Sequence, residues 1–323
     1  MSTSPLAWLP PTDLPPLAGW TVLTSWTFDP AVLLPLAFAG VAYVWGVVRL
    51  RRRGDAWPLR RSLFWFLGLA VVFVGVSSSL GVYDRVLFLI PAIQHMVLQM
   101  IAPVALVLSA PTSLALRALP ARGRRALLAV LHSHWGRFVS HPAVAFGLFA
   151  ITQFAFYYTP VYELSLTNAW VHDLTHLHFV AVGFLFYWAL LGVDPTVHRT
   201  PFGLKMLLVV GMGPLHILLG IPIMMTDSVF AADFYLSLTR DWGPPVLRDQ
   251  NIGGAILWGF GDVAAVALIG VFVRQWYASD QRVARRTDRH LDRLYGAGPT
   301  VRPWWESDVD DTSDVLGPQR DGS

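Results

Sequence analysis

Seven apolar runs, each close to the length that crosses the hydrocarbon core of a membrane, constrain the fold of this chain most strongly. A transmembrane helix needs ~20 predominantly apolar residues. The runs are Ala31–Val48, Ser62–Val82, Val86–Ser109, Ala143–Tyr158, Trp170–Val193, Gly203–Met225 and Gly253–Tyr277. Because a spanning segment must satisfy its backbone polar groups internally, the sequence predicts an all-α, polytopic membrane helix bundle of about seven transmembrane helices.

The composition of the chain agrees with an integral membrane protein. Hydrophobic residues make up 54% of the 323 residues and charged residues 14%, with a mean hydropathy of +0.49. The net charge of +3 comes from arginines in short loops and the tail, so nucleic acid is not an expected partner. No cysteine is present, so a soft metal would have to use Met sulfur and His nitrogen as ligands.

Clusters of arginine predict the orientation of the helices. They follow the first, third and last apolar runs: Arg49, Arg51, Arg52, Arg53, Arg60 and Arg61; Arg117, Arg122, Arg124, Arg125 and Arg137; Arg274, Arg282, Arg285, Arg286, Arg289 and Arg293. The positive-inside rule places these segments in the cytoplasm. The N-terminus is then outside and the C-terminus cytoplasmic, as an odd number of spans requires.

Three regions follow from this topology. Residues 1–30 are predicted to be an extracytoplasmic segment, and residues 31–277 the seven-helix membrane domain. Residues 278–323 are predicted to be a cytoplasmic tail that is first basic, then acidic and partly disordered. The first 28 residues lack a basic segment followed by an apolar core, so we expect no cleavable signal peptide.

Five histidines lie inside the predicted spans, where an imidazole needs a partner or a metal: His95, His172, His176, His178 and His216. Ionisable side chains in hydrocarbon are costly and mark functional sites by default. His172 and His176 are one helical turn apart on one face, and two imidazoles at this spacing suit a metal ion. His95 and His216 lie in the third and sixth runs. Asp173 could accept a hydrogen bond from a His N–H and fix its tautomer.

Further candidate ligands occur at the outer ends of the last two spans. Met224 and Met225 end the sixth run, and Asp249 precedes the seventh. Together with the histidines they predict a funnel of ligands that descends from the outer face of the membrane. Neutral imidazole and thioether favour copper, Cu(I) above all, over calcium or magnesium, although His and Asp would also suit zinc.

Several of these side chains also have a purely structural explanation. A single histidine in a membrane helix can bond a backbone carbonyl. For His216 this explanation is as good as metal binding. Methionine commonly fills cores, which accounts for Met96, Met100 and Met212. We expect the histidines of the cytoplasmic loops and tail to be solvated: His132, His134, His141, His198 and His290.

Three segments resemble the CtaG family of cytochrome c oxidase assembly factors, of the polytopic membrane type. They are Gln94-His95-Met96 through Ala102-Pro103 to Ala110-Pro111, the segment Asn168 to His176, and Asp249-Gln250 with Gly253-Gly254-Ala-Ile-Leu-Trp258. The resemblance covers nearly the whole region from Ala31 to Tyr277. The matching positions are His95, His172, His176 and Asp249, and His216 matches less closely.

The resemblance implies a multi-pass protein of the bacterial plasma membrane that is not itself an enzyme. Its role would be to help form an active terminal oxidase by supplying copper to the oxidase catalytic subunit. The implied partners are that subunit, an extracytoplasmic copper donor and the lipid bilayer.

Two other functions remain open from the residues alone. A haem-binding electron carrier would use His95 with His216 or His176 as axial ligands. A transporter for a metal or a small solute would use the sixth span as a gate, since Pro214 and Pro222 interrupt its hydrogen bonds.

Overall fold

A computed structural model describes residues 14–195, 198 and 200–295, and all regular secondary structure in these residues is helical. The predicted all-α class is therefore confirmed. The elements in chain order are α1 (Thr21–Thr24), α2 (Pro30–Arg52), α3 (Leu59–Ser77), α4 (Ser79–Tyr83), α5 (Leu89–Met96), a π-turn (Val97–Ile101), α6 (Ala102–Leu108), α7 (Pro111–Ala118), α8 (Ala121–His132), α9 (His134–Val139), α10 (Pro142–Tyr158), α11 (Val161–Thr167), α12 (Ala169–Leu191), α13 (Phe202–Met225), α14 (Ala232–Tyr235) and α15 (Val246–Tyr295).

The described part of the chain contains six segments long and apolar enough to cross a membrane, or seven when a bent pair of helices counts as one span. The six are Pro30–Arg52, Leu59–Tyr83, Leu89–Leu108, Ala169–Leu191, Phe202–Met225 and Val246–Arg274. The pair is α10 and α11, which meet at 68°. Thr159 between them is extended, as expected for a residue before proline. The predicted number of about seven helices is confirmed.

The third span is the most buried of these segments, and α2 is the least buried. Polar side chains on the third span therefore lie in the protein interior, whereas α2 exposes large apolar groups such as Leu34 and Phe38. An apolar outer surface suits lipid. The orientation of the termini across the membrane stays a prediction.

The third span is not the uniform helix that its sequence predicts. A π-turn separates α5 from α6, directly after His95 and Met96. Next to it, a Cβ atom on Gly183 would lie 2.2 Å from the Gln99 carbonyl oxygen, so only glycine lets α12 approach the π-turn this closely. Such turns often occur at functional sites.

Helix α12, which carries the histidine pair, has a clear start signal. The side chain of Asn168 accepts hydrogen bonds from the backbone N–H groups of Trp170 and Val171, at 3.0 and 3.2 Å. This satisfies donors that the first helical turn would otherwise leave unpaired. His172 and His176 consequently lie in the first two turns of α12.

The last helix is longer than predicted at both ends, since it begins at Val246 and continues to Tyr295. Residues 278–295 of the predicted tail are therefore helical. The chain divides into two compact units, of which the first ends at Phe272 and the second begins at Val273. The predicted disorder of the acidic end falls on residues 296–323, outside the described residues.

Candidate metal centre

Three side chains that can bind a metal converge where α4 ends and α12 begins: Asp84, His172 and His176. Each offers one ligand atom, and these atoms lie within 4.8 Å of one another. The centroids of the two imidazole rings are 4.4 Å apart, and His172 Nε2 is 3.1 Å from Asp84 Oδ2. Ligands bound at ~2.0–2.2 Å from one ion lie within about 4.4 Å of each other. Small side-chain movements would therefore let all three bind one ion.

The buried side chain of Gln94 on α5 forms hydrogen bonds with both Asp84 and His176. Its side-chain nitrogen donates to the Gly75 carbonyl at 3.0 Å and to Asp84 Oδ2 at 3.3 Å. Its oxygen is therefore an acceptor, and His176 Nε2 donates to it at 3.0 Å. This network leaves the lone pair of a neutral His176 on Nδ1, because one ring nitrogen must carry the hydrogen.

The three side chains border a polar cavity of about 80 Å³. A water molecule needs about 10–15 Å³ of such space, so the cavity has room for an ion and several waters. Its polar lining is Thr27, Asp29, Asp84, Arg85, His172, Asp173 and His176. Asp173, which the sequence suggested as a hydrogen-bond acceptor, lines this cavity, and the carboxylate bonded to His172 Nε2 is that of Asp84.

The electrostatics of the cavity keep Asp84 ionised. Burial raises the pKa of this carboxyl, but the imidazoles of His172 and His176 and the guanidinium of Arg85 outweigh it and hold the pKa below its ordinary value. Burial also lowers the pKa of Arg85, against the opposing effect of Asp84. An ionised carboxylate beside two imidazoles provides an anionic ligand set for a cation.

His95 lies next to this cluster but has other partners. Its ring centroid is 6.3 Å from that of His176. Its Nδ1 is 2.9 Å from the Tyr157 hydroxyl, and its ring stacks on Phe179 at 4.3 Å. His95 is buried among aromatic rings and does not belong to the group of three close ligand atoms.

Asp249 occupies a different place from the one its sequence position suggested. Its carboxylate accepts from the backbone N–H groups of Phe88 and Leu89, at 2.8 and 3.1 Å, and lies 3.4 Å from the Arg240 guanidinium. It therefore caps the start of α5, where a negative charge is favourable. Asp249 is outside the group of three, and its observed contacts stabilise the helix that carries Gln94 and His95.

The remaining candidates are not brought to the cluster either. His216 Nδ1 donates to the Met212 carbonyl of its own helix at 2.8 Å, and its ring packs on Gly261. Met224 is half-buried at the end of α13, and its carbonyl accepts from the Asn251 amide. The Met225 side chain is 71% exposed. The predicted funnel is thus reduced to the histidine pair with Asp84, a residue that the sequence analysis missed.

A membrane helix bundle with two imidazoles and a carboxylate in a buried polar cavity defines a polytopic membrane protein with a candidate metal centre. The family model described as cytochrome c oxidase caa3 assembly factor (Caa3_CtaG) matches residues 41–279. The chain therefore belongs to this family of oxidase assembly factors, which confirms the resemblance found in its sequence.

Curated relatives come from mycobacteria. Uncharacterized proteins of Mycobacterium bovis and Mycobacterium tuberculosis are each 37% identical over 281 residues, which cover 85% of this chain and 42% of theirs. One from Mycobacterium leprae is 37% identical over 279 residues, or 84% and 42% of the two chains. This chain thus spans less than half the length of these relatives. No solved structure matches it.

Proposed function

We propose that the chain binds a copper ion at Asp84, His172 and His176 and delivers it to the catalytic subunit of a terminal oxidase. The observation that carries this proposal is the convergence of two imidazoles and an ionised carboxylate on one buried polar cavity. Membership of a family of oxidase assembly factors supports a terminal oxidase as the partner. On this account the chain is not an enzyme, because its site serves to hold and release an ion.

The ligand set favours Cu(II) over the Cu(I) expected from the methionines. Cu(I) prefers soft sulfur ligands, whereas nitrogen and oxygen ligands suit Cu(II) or zinc. No methionine of the described residues lines the polar cavity, and the third ligand is a carboxylate. Copper is favoured over zinc because Cu(II) binds most tightly among the divalent first-row metals at a given site.

His176 also borders a second cavity, which supports transfer within the membrane. This apolar cavity of about 350 Å³ lies between α2, α3 and α12 and is lined by residues such as Pro35, Trp65 and Leu177. The polar cavity is also lined by Thr27 and Asp29, which precede α2. A copper ion in the polar cavity would therefore pass from His176 directly to a ligand that the oxidase subunit places in the apolar cavity.

Metal analysis of the purified full chain tests this function. We expect close to one copper per chain in the wild type after loading and washing, and loss of that copper in the double variant His172→Ala with His176→Ala. His178→Ala is the matched control, since His178 lies on the same helix but bonds Thr152 Oγ1 at 3.0 Å. Unchanged copper in the double variant would refute the site. In cells, oxidase activity should fall with the double variant and not with the control.

The same preparation separates the alternative functions. A haem protein would show a Soret band, which we expect to be absent. A transporter would move copper into proteoliposomes, and we expect no such flux. Helix α13 continues from Phe202 to Met225 through both Pro214 and Pro222, so the sixth span is one helix.

A further inference from the structure

A small cavity between α10 and α13 is lined by two side chains that each carry a buried polar atom without a hydrogen-bond partner among the described residues. They are Gln153 Oε1 and His216 Nε2, on side chains that are only 3% and 2% exposed. The cavity has a volume of about 10 Å³ and is lined by Phe149, Ala150, Gln153, Phe154, Leu215, His216 and Leu219. Leaving two such atoms unpaired in a membrane interior would be costly.

The hydrogen-bond network fixes the orientation of the Gln153 amide. Gln99 Nε2 donates to the Phe149 carbonyl at 3.0 Å, because a carbonyl can only accept. Gln99 Oε1 is then the acceptor for Gln153 Nε2 at 2.7 Å. The remaining Gln153 atom, Oε1, is consequently an acceptor on a side chain that lines the cavity.

The same reasoning fixes the tautomer of His216. Its Nδ1 lies 2.8 Å from the Met212 carbonyl oxygen, so Nδ1 carries the hydrogen. In a neutral imidazole the other nitrogen, Nε2, then holds a lone pair and is an acceptor. Two of the side chains that line the cavity therefore each carry an unpaired acceptor, and two acceptors cannot satisfy each other.

We propose that one water molecule binds in this cavity and donates one O–H to His216 Nε2 and the other to Gln153 Oε1. A bridging ligand must offer two donors, and water is the smallest molecule that does so. The volume of about 10 Å³ is that of a single-water site. A metal cation would also use both lone pairs, but the lining contains no carboxylate or thioether to complete its coordination.

The proposed water completes a chain of hydrogen bonds between three spans. The chain runs from the Met212 carbonyl through His216, the water, Gln153 and Gln99 to the Phe149 carbonyl. It ties α13 and α10 to the π-turn that contains Gln99. Since the π-turn directly follows His95 and packs on α12, the water helps to fix the segment beside the candidate metal centre, whether or not copper binds there.

Solid-state NMR of the full chain with ¹⁵N-labelled histidine, in vesicles of neutral lipid without added metal, tests the proposal. We expect an unprotonated His216 Nε2 that shows a cross-peak to water protons. The signal is assigned by its loss in His216→Phe, or by its shift in Gln153→Leu if the phenylalanine variant does not fold. A protonated Nε2, or an unprotonated Nε2 without a water contact, would each overturn the proposal.

A double-mutant cycle provides an independent measurement. If one water bridges both side chains, either Gln153→Leu or His216→Phe removes it, so the double variant should lose less stability than the sum of the two single losses. Additive losses would contradict a bridge. His216→Phe combined with Thr152→Ala is the control pair, because Thr152 bonds His178 away from this cavity and its effect should add.

Discussion

Asp84 supplies the negative charge of the candidate centre. It is bonded to His172 and Gln94 and is buried, with only 2% of its surface exposed. A charge is retained at such a place only when its partners compensate the loss of hydration. The same carboxylate thus orients an imidazole when no metal is bound and can serve as a ligand when one is.

Asp84→Asn should weaken copper binding without unfolding the protein. The amide keeps the size of the side chain but removes the anionic ligand. Loss of a group that only orients a ligand typically costs about 10–100-fold in affinity, and we expect at least that loss here. Copper competition with a chelator of known affinity measures the change. Asp173→Asn is the control, because it lines the same cavity outside the group of three. Equal affinities of the wild type and Asp84→Asn would remove Asp84 from the site.

We expect Asp249 to stabilise the fold rather than to bind copper. Removing one partner of a buried ion pair typically destabilises a protein by about 3–5 kcal/mol, and Asp249→Ala would also leave the α5 N–H groups unpaired. We therefore expect a markedly lower unfolding temperature, while the fraction that folds still binds one copper per chain. A well-folded Asp249→Ala protein that has lost its copper would instead make Asp249 a ligand.

At the scale of elements, the close approach of α12 to the π-turn decides where the histidines lie. Helix α12 starts at its Asn168 cap, and Gly183 lets its middle pack against the Gln99 carbonyl. The cap sets the height of His172 and His176 along the helix. The glycine sets the distance of the whole helix from the central span, which carries Gln94.

Gly183→Ala should destabilise the protein by about 1–3 kcal/mol, the usual range for overpacking a close contact. The added methyl would lie 2.2 Å from the Gln99 carbonyl oxygen, so α12 must move away. Gly147→Ala is a matched control in α10, since nothing lies within 4 Å of its added Cβ, and it should leave stability unchanged or raise it. Thermal unfolding compares the two, and equal stability would mean that the contact is not close in solution.

At the scale of the whole molecule, the helical class and the number of spans followed from local sequence. Runs of apolar residues of sufficient length can satisfy their backbone only as helices in a membrane. The π-turn could not be predicted, because Val97–Ile101 is an ordinary apolar stretch and its conformation accompanies the contact with Gly183.

The candidate site was predictable only in part. The spacing of His172 and His176 placed them on one face of a helix. It did not indicate that Asp84, which is 88 positions from His172 in the sequence, bonds to this pair. Asp84 did carry a signal, since it is the one acidic residue between Asp55 and Glu163 and follows a span. Depth in the membrane and the family resemblance grouped Asp249 and His216 with the site, whereas their side chains bond to backbone groups elsewhere. Depth alone grouped Met224 with the site, and Met224 does not line the polar cavity.

Transmembrane orientation is testable because the chain has no cysteine. Single cysteines at Thr24→Cys and His290→Cys, both exposed positions, should react differently with a membrane-impermeant maleimide. The positive-inside rule predicts labelling of the first in intact cells and of the second only after permeabilisation. The reverse pattern would place the Asp84 cavity on the cytoplasmic side and contradict delivery from outside.

X-ray absorption at the copper edge of the loaded chain shows whether copper binds at Asp84, His172 and His176. We expect a first shell of nitrogen and oxygen only, with the scattering of two imidazoles, and loss of that signal in His172→Ala with His176→Ala. A sulfur shell, or a spectrum that the double variant leaves unchanged, would contradict binding at these residues.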